Sequence, residues 1–138
     1  MLELITKEEA RDQIRLDSEQ SSLGVTGPDD AWLSIWIPAV SEAIRSWVKD
    51  DWRLYLPSRD SNGDVITDSD GDPVPEESSD GFIVHPTVRG AALLEIASQY
   101  RYREGEGDAR MEAHEGHGYT LSRGATLLLS GLRKTTVA

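Results

Sequence analysis

The segment from Trp32 to Val48 constrains the fold more than any other part of the chain, because its apolar residues come in adjacent pairs at helical spacing. The pairs are Trp32/Leu33, Trp36/Ile37, Ala39/Val40, Ala43/Ile44 and Trp47/Val48. Such pairs give a helix a broad apolar face, wider than one packing neighbour covers. The pattern predicts a helix that is either central to its own domain or shared with a second subunit.

Three further helices are indicated by their boundary signals. Thr6 and Glu9 form a capping box before a short amphipathic stretch. Pro86 stands where a first helical residue is expected, and Ser122 can cap a leucine-rich final helix. Together with the Trp32–Val48 segment, these signals predict helices over about residues 7–15, 30–50, 86–103 and 122–134.

The sequence between the second and third helices, about residues 53–84, has a different character. It contains Asn62-Gly63 and Asp70-Gly71, the preferred residues of tight hairpin turns. We therefore predict a small β-meander or extended hairpin projecting from the helical body, and no internal repeat. The fold class is mostly α: residues 1–138 form a single domain, a small bundle of about four helices with this β-hairpin or meander insertion.

The net charge of −11 is unevenly distributed. Residues 60–80 hold eight acids and no base, whereas residues 119–138 hold three bases and no acid. An acidic chain does not grip nucleic acid by neutralising phosphates, but an acidic surface could let DNA slide past. The acids of the insertion that could form such a surface are Asp60, Asp64, Asp68, Asp70, Asp72, Glu76 and Glu77, and the bases near the C-terminus are Arg123, Arg133 and Lys134.

The sequence lacks the residue patterns of several kinds of catalytic and metal-binding site. The chain has no cysteine, so disulfides, thiolate metal sites and cysteine nucleophiles are excluded. The runs that begin at Asp60 and Asp68 lack the glycine and the final acid of a calcium loop. His114 and His117 lack the spacing of a zinc-protease helix. We expect no cofactor, no metal and no enzymatic activity.

Four tryptophans concentrate between residues 32 and 52. Some are expected in the core, but tryptophan is also enriched at protein–protein interfaces. We predict subunit–subunit contacts through the start of the second helix, at Trp32, Trp36, Ile37 and Val40. No apolar run reaches the ~18–20 residues that a membrane span needs, so a soluble protein without membrane contact is expected.

The order of these segments resembles the head–tail connector (adaptor, or head-completion) family of long-tailed double-stranded DNA bacteriophages and prophages. The resemblance spans nearly the whole chain. Its strongest parts are the stretch His85-Pro86-Thr-Val-Arg89-Gly-Ala-Ala-Leu-Leu and the C-terminal Leu121-Ser-Arg-Gly-Ala-Thr-Leu-Leu-Leu129-Ser-Gly-Leu-Arg133. Two features depart from the family: Ser122 stands where a proline is common, and the acidic insertion is longer than expected.

The resemblance implies a structural protein of the virion, made in the bacterial cytoplasm. Identical subunits, about twelve of them, would form a ring between the portal and the tail-completion or neck proteins. DNA would pass through the channel without sequence-specific binding. In this setting the acidic insertion could line the channel and repel phosphate. The three C-terminal bases could contact the portal or a neighbouring subunit.

Three other interpretations stay open at this level. Another neck or tail-completion protein of the same particle would share the composition. A small acidic regulator that mimics DNA would need acids spread over one continuous surface, whereas these are concentrated in one insertion. A hydrolase that uses His114 and His117 is a third interpretation.

Overall fold

Residues 1–17, 30–103 and 121–134 are described by a computed structural model of the chain. In these residues four α-helices enclose one apolar core, as the sequence predicted. They are α1 (Lys7–Asp17), α2 (Asp30–Val48), α3 (Pro86–Arg103) and α4 (Arg123–Leu129). The predicted loop at about 17–29, the histidine-containing loop and the C-terminal tail lie outside the described residues.

The N-terminus is fixed on α2 before α1 begins. The Oγ1 atom of Thr6 accepts a hydrogen bond from the N–H of Glu9 at 3.1 Å, which is the first half of the predicted capping box. The preceding N–H of Leu4 donates to the Oγ of Ser41 at 3.0 Å in the core. Ser41 is fully buried, and this bond gives its hydroxyl a partner.

The long helix α2 ends at Val48 because Lys49 adopts a left-handed backbone conformation, with φ of +81°. The helix is therefore two residues shorter than predicted. Pro38 lies inside it and removes one helical hydrogen bond. The carbonyl of Ser34, which loses its donor, belongs to an exposed residue and can be hydrated. The buried side of α2 consists of Leu33, Ile37, Val40, Ser41, Ile44 and Val48.

Helix α3 is central to the bundle and contacts each of the other three helices. Its core side is made largely of small residues, so the neighbouring helices can approach closely. Val88 and Ile96 are fully buried, and each contributes roughly 1.5–3 kcal/mol by leaving water. The alanines of this side are Ala91, Ala92 and Ala97.

The last helix, α4, is shorter than the predicted 122–134. Its start agrees with the prediction, since Ser122 Oγ accepts the N–H of Ala125 at 3.3 Å. After Leu129 the chain makes a turn that includes Gly131, a poor helix former, and folds back. The N–H of Lys134 then bonds the carbonyl of Val48 at 3.2 Å, which ties the C-terminal segment to the end of α2.

The insertion, residues 55–84, is called the arm below. Its centre is a closed ring of three backbone hydrogen bonds. The N–H of Ser58 donates to the carbonyl of Val74 at 2.8 Å, that of Val74 to Ile66 at 2.9 Å, and that of Ile66 to Ser58 at 3.0 Å. Three short extended segments therefore pair with one another around a closed ring, through antiparallel bridges between residues 57 and 75, 59 and 65, and 67 and 73. Of the hairpin and the meander that the sequence left open, the hairpin is the form present.

A second ring lies next to the first and nearer the helices. The N–H of Leu56 donates to the carbonyl of Ile83, that of Ile83 to Glu76, and that of Glu76 to Leu56, at 2.8–2.9 Å. Beyond it the predicted hairpin is present, as strands β1 (Glu77–Ser78) and β2 (Gly81–Phe82). The arm is thus fixed by main-chain bonds, with no fully buried side chain of its own.

The arm contains an eight-residue repeat that the sequence analysis did not find. Residues 60–66 read Asp-Ser-Asn-Gly-Asp-Val-Ile, and residues 68–74 read Asp-Ser-Asp-Gly-Asp-Pro-Val. Each copy forms the same turn, with the glycines at φ of +85° and +84°. The ring residues Ser58, Ile66 and Val74 follow the same spacing of eight. The sequence pattern did not indicate this repeat because each copy is short and consists of a single turn and a single extended segment.

Candidate functional site: an apolar groove and an acidic arm

The start of α2 carries an aromatic cluster. The rings of Trp32 and Trp36 are stacked with centroids 5.8 Å apart, and Tyr100 of α3 meets Trp32 edge-on at 5.4 Å. Both tryptophans are half-buried, so each packs on the core and still offers a face to solvent. These two residues remain available for the subunit contact that the sequence predicted, and that contact stays a prediction.

Ile37 and Val40 were predicted to contact a second subunit together with the tryptophans. The structure places them elsewhere: Ile37 is 2% exposed and Val40 is 1% exposed, both in the core of their own subunit. The sequence pattern could not show which half of this broad apolar face of α2 is buried within its own subunit. The side of α2 that carries these two residues is covered by other described residues of the chain, whereas Trp36, on the neighbouring side, is only half-buried among them.

An open apolar groove runs between α2 and the C-terminal segment, with a volume of about 750 Å³. The indoles of Trp36 and Trp47 lie at its wall on α2, separated by alanines that leave room between them. The wall from α2 consists of Trp36, Ala39, Ala43 and Trp47 together with the polar Glu42 and Ser46, and the opposite wall consists of Leu121, Thr126 and Arg133. The sequence indicated the wide apolar face but not that the C-terminal segment would line one side.

Arg133 fixes the rim of the groove. Its Nε donates to the carbonyl of Trp47 at 3.1 Å, and its guanidinium lies 4.6 Å from the centre of the Trp47 ring. This stacked contact orients the indole and keeps a positive charge at the groove. Nearby, Arg53 donates to the carbonyl of Leu132 at 3.1 Å, which holds the same segment from the other side.

The two other predicted basic residues, Arg123 and Lys134, are exposed. Arg123 is the first residue of α4. The Nζ of Lys134 lies 3.9 Å from a carboxylate oxygen of Asp50, at the limit of an ion pair. An exposed pair of this length contributes little to stability. Of the three predicted bases, Arg133 lines the groove, whereas Arg123 and Lys134 are not among its lining residues. Their predicted contact with the portal or a neighbour stays a prediction.

A second apolar patch lies where α3 meets α4. A Cβ atom at Gly124 would be 3.5 Å from Leu94, and one at Gly90 would be 3.7 Å from Leu128, so the two leucines interdigitate across the helix pair. They still expose 38% and 40% of their surface. Further large apolar residues are exposed outside this pair: Ile35 at 68% and Leu127 at 66%.

The acids of the arm have no basic partner in the described part of the chain. No base lies within 4 Å of the carboxylates of Asp60, Asp64, Asp68, Asp70, Asp72, Glu76 or Glu77. Arg59, the base next to them, donates instead to the carbonyl of Gly63 at 2.8 Å. The negative charge is therefore not neutralised by described residues of the same subunit. Its predicted role in lining a DNA channel stays a prediction.

Two of these acids hold the turns of the repeat. Asp60 Oδ1 accepts the N–H groups of Asn62 and Asp64 at 2.9 and 3.0 Å. Asp68 Oδ1 accepts those of Asp70 and Asp72 at 2.9 and 3.1 Å. A carboxylate that accepts two backbone N–H groups fixes its turn. These bonds give the two acids a structural role within the arm.

The described residues contain no cluster of three or more histidine, cysteine, aspartate or glutamate side chains that could hold a metal ion. His85 accepts the N–H of Thr87 at 3.1 Å through Nδ1, at the start of α3. This bond gives it a structural role. His114 and His117, the residues of the hydrolase interpretation, lie outside the described residues.

Tyr55 lies at the base of the arm, with its ring centroid 5.1 Å from that of Phe82. Burial raises the pKa of Tyr55 above its usual 10.0, and the charge of Asp51 raises it further, while Arg45 acts in the opposite direction. The contact joins the first residue of the arm to strand β2, close to the helical body.

Comparison with known proteins gives no match: no family model, no curated protein and no solved structure is significantly similar to the chain. Among the helices that the structure describes, none combines the length and the apolarity that crossing a membrane requires.

Proposed function

We propose that the protein is a structural subunit of a bacteriophage particle, a head–tail connector that acts as one copy in a ring. The observation that carries the proposal is the apolar helical surface that stays exposed among the described residues of the subunit. It includes the groove beside α2 and the leucine patch between α3 and α4. Exposed apolar surface of this kind marks sites of protein association.

The placement of the uncovered surface favours a ring. Trp36 and Trp47 line the groove beside α2, whereas Leu94 and Leu128 mark the junction of α3 with α4. Two different faces on one subunit allow a head-to-tail contact, in which the surface used on one copy differs from that used on the next. Such contacts form closed rings when the rotation between copies divides a full turn.

The resemblance in segment order supplies the biological setting. Helix α3 spans Pro86–Arg103, the bounds expected for the stretch with the strongest resemblance, and α4 begins directly after Ser122, which caps it in place of the usual proline. In that setting the ring, of about twelve copies, sits between the portal and the tail-completion or neck proteins of the virion. It completes the head after packaging, and DNA crosses its channel without sequence-specific contacts.

The proposal is tested by measuring assembly of the full chain alone and with a purified portal. Light scattering after size exclusion gives the mass of the protein alone, and negative-stain images show whether rings form or the portal is decorated. We expect a ring in at least one of the two conditions. A protein that stays monomeric at high concentration and also leaves the portal undecorated would contradict the proposal.

A variant sharpens the test. Ile35→Ser removes an apolar side chain that is 68% exposed, so the free energy of unfolding should change by less than about 0.5 kcal/mol. Ile35 lies on the same helix as the groove residues, and its loss should weaken assembly. Glu3→Ser, which changes an exposed residue near the N-terminus, is the control. Binding of the protein to purified portal is then compared with its binding to a purified tail terminator. This comparison separates a connector from another neck protein of the same particle.

A further inference from the structure

The groove beside α2 and the distal part of the arm have matching chemistry. The groove has tryptophan and alanine walls with Arg133 fixed at its rim. Glu42 also lines it, but its carboxylate lies 3.4 Å from the guanidinium of Arg45. Arg123 and Lys134 do not line the groove but belong to the same C-terminal segment as Arg133. Residues 121–134 hold three bases and no acid. A ligand that fits this surface is therefore partly apolar and negatively charged.

The distal arm, residues 60–72, has that character. It holds five acids and no base, and no described base of the same subunit pairs with them. Between its two acidic turns, Val65 and Ile66 are 37% and 42% exposed. The arm thus offers apolar side chains flanked by carboxylates.

The arm is also ordered before any contact is made. Its turns are fixed by Asp60 and Asp68, and its strands by two rings of backbone hydrogen bonds. A preformed element loses little conformational entropy when it binds. This separates the arm from an acidic loop that would have to fold on its partner.

We propose that the distal arm of one subunit docks in the groove of the next subunit. The proposal rests on the proposed ring and names the contact that builds it. Val65 and Ile66 cover the tryptophan wall of the neighbour, and the carboxylates face its C-terminal bases. Arm and groove are different surfaces, so each subunit gives one and receives one, as a closed ring requires. This places the acids against a neighbour, in contrast to the channel-lining role expected from the sequence.

Charge reversal on each side tests the contact. In the arm variant, Asp64→Lys, Asp70→Lys and Asp72→Lys change the charge of residues 60–72 from −5 to +1, and the acids that hold the turns are kept. In the groove variant, Arg123→Glu and Lys134→Glu change the charge of residues 121–134 from +3 to −1, and Arg133 is kept.

Each variant alone should fail to assemble under conditions in which the natural protein forms rings, alone or on the portal. An equimolar mixture should recover rings, because the reversed arm of one variant meets the reversed groove of the other, and their unchanged surfaces also match. Recovery also shows that both variants are folded. The control is a third variant, Glu3→Lys with Glu8→Lys and Asp12→Lys. It changes the net charge by the same amount as the arm variant, but at exposed residues near the N-terminus, and it should assemble normally.

The outcomes distinguish this inference from the proposed function. If the natural protein forms rings and either single variant does so equally well, the docking contact is wrong and the ring stands. If the arm variant assembles normally but particles package or eject DNA poorly, the acids line the channel instead and the inference is overturned. If both single variants and their mixture remain monomeric although circular dichroism shows the natural fold, the contact is not the proposed one.

Discussion

The carboxylate of Glu95 accepts a hydrogen bond from the backbone N–H of Ser122 at 2.7 Å. Glu95 is fully buried in α3, and Ser122 is the residue that caps α4. The other carboxylate oxygen of Glu95 accepts from the side-chain amide of Gln99 at 3.2 Å. A buried acid on one helix thus positions the start of another, and with it the C-terminal wall of the groove.

Replacing Glu95 tests this connection. In Glu95→Leu neither the N–H of Ser122 nor the side-chain amide of Gln99 keeps its carboxylate acceptor. We expect the free energy of unfolding to fall by about 1–3 kcal/mol, measured by urea denaturation. A variant as stable as the natural protein would show that the carboxylate does not hold α4.

The cap of α4 makes a separate prediction. Ser122→Ala removes the hydroxyl that accepts the N–H of Ala125 but leaves the backbone bond to Glu95 in place. The free energy of unfolding should fall by about 1 kcal/mol. Ser122→Thr, which can also cap and adds no charge beside Glu95, should be close to the natural protein. A Ser122→Thr variant no more stable than Ser122→Ala would argue against the capping role.

The two copies of the repeat should respond alike to loss of their first acid. In Asp60→Ala the N–H groups of Asn62 and Asp64 lose their acceptor, and in Asp68→Ala those of Asp70 and Asp72 do. Amide hydrogen exchange at these positions should become faster in the affected turn. Asp64→Ala is the matched control, since its carboxylate does not hold a turn, and it should leave the exchange of Asn62 unchanged. Unequal responses of the two turns would contradict the repeat.

Glycine substitutions should have opposite effects in the arm and in α3. Gly63 has φ of +85°, which an alanine adopts only with strain, so Gly63→Ala should cost about 1 kcal/mol locally. Gly90 is helical, and a Cβ there meets Leu128 at an ordinary 3.7 Å. Gly90→Ala should therefore stabilise by roughly 0.5–1 kcal/mol. Hydrogen exchange in the arm tests the first, and thermal unfolding tests the second.

The raised pKa of Tyr55 predicts a pH dependence. Its neutral form is favoured in the folded state, so this contribution to stability is fully present below pH 10.0, the usual pKa, and is lost as the pH rises through the higher folded value. Tyr55→Phe cannot ionise. The stability of the natural protein relative to Tyr55→Phe should therefore decline above about pH 10. Parallel stability curves in this range would contradict the assignment.

The helices were predictable because their signals are local. The capping box at Thr6, the pairs of apolar residues after Trp32 and the proline at position 86 each act within a few turns of chain, and they placed the helices well. The ends that depend on distant contacts were less accurate. The C-terminal segment leaves its helix after Leu129 and bonds the end of α2, which no local pattern records.

The sequence by itself determined the mostly helical class, the position of the β insertion and its acidic charge, because periodicity, turn residues and composition act locally. Only the tertiary structure decided which half of the wide apolar face is covered. It buried Ile37 and Val40 and left Trp36 at a groove, since burial depends on which helices pack together. It also closed the arm into rings through backbone bonds between residues 58, 66 and 74, because the repeated turn residues fix each turn but not which extended segments pair.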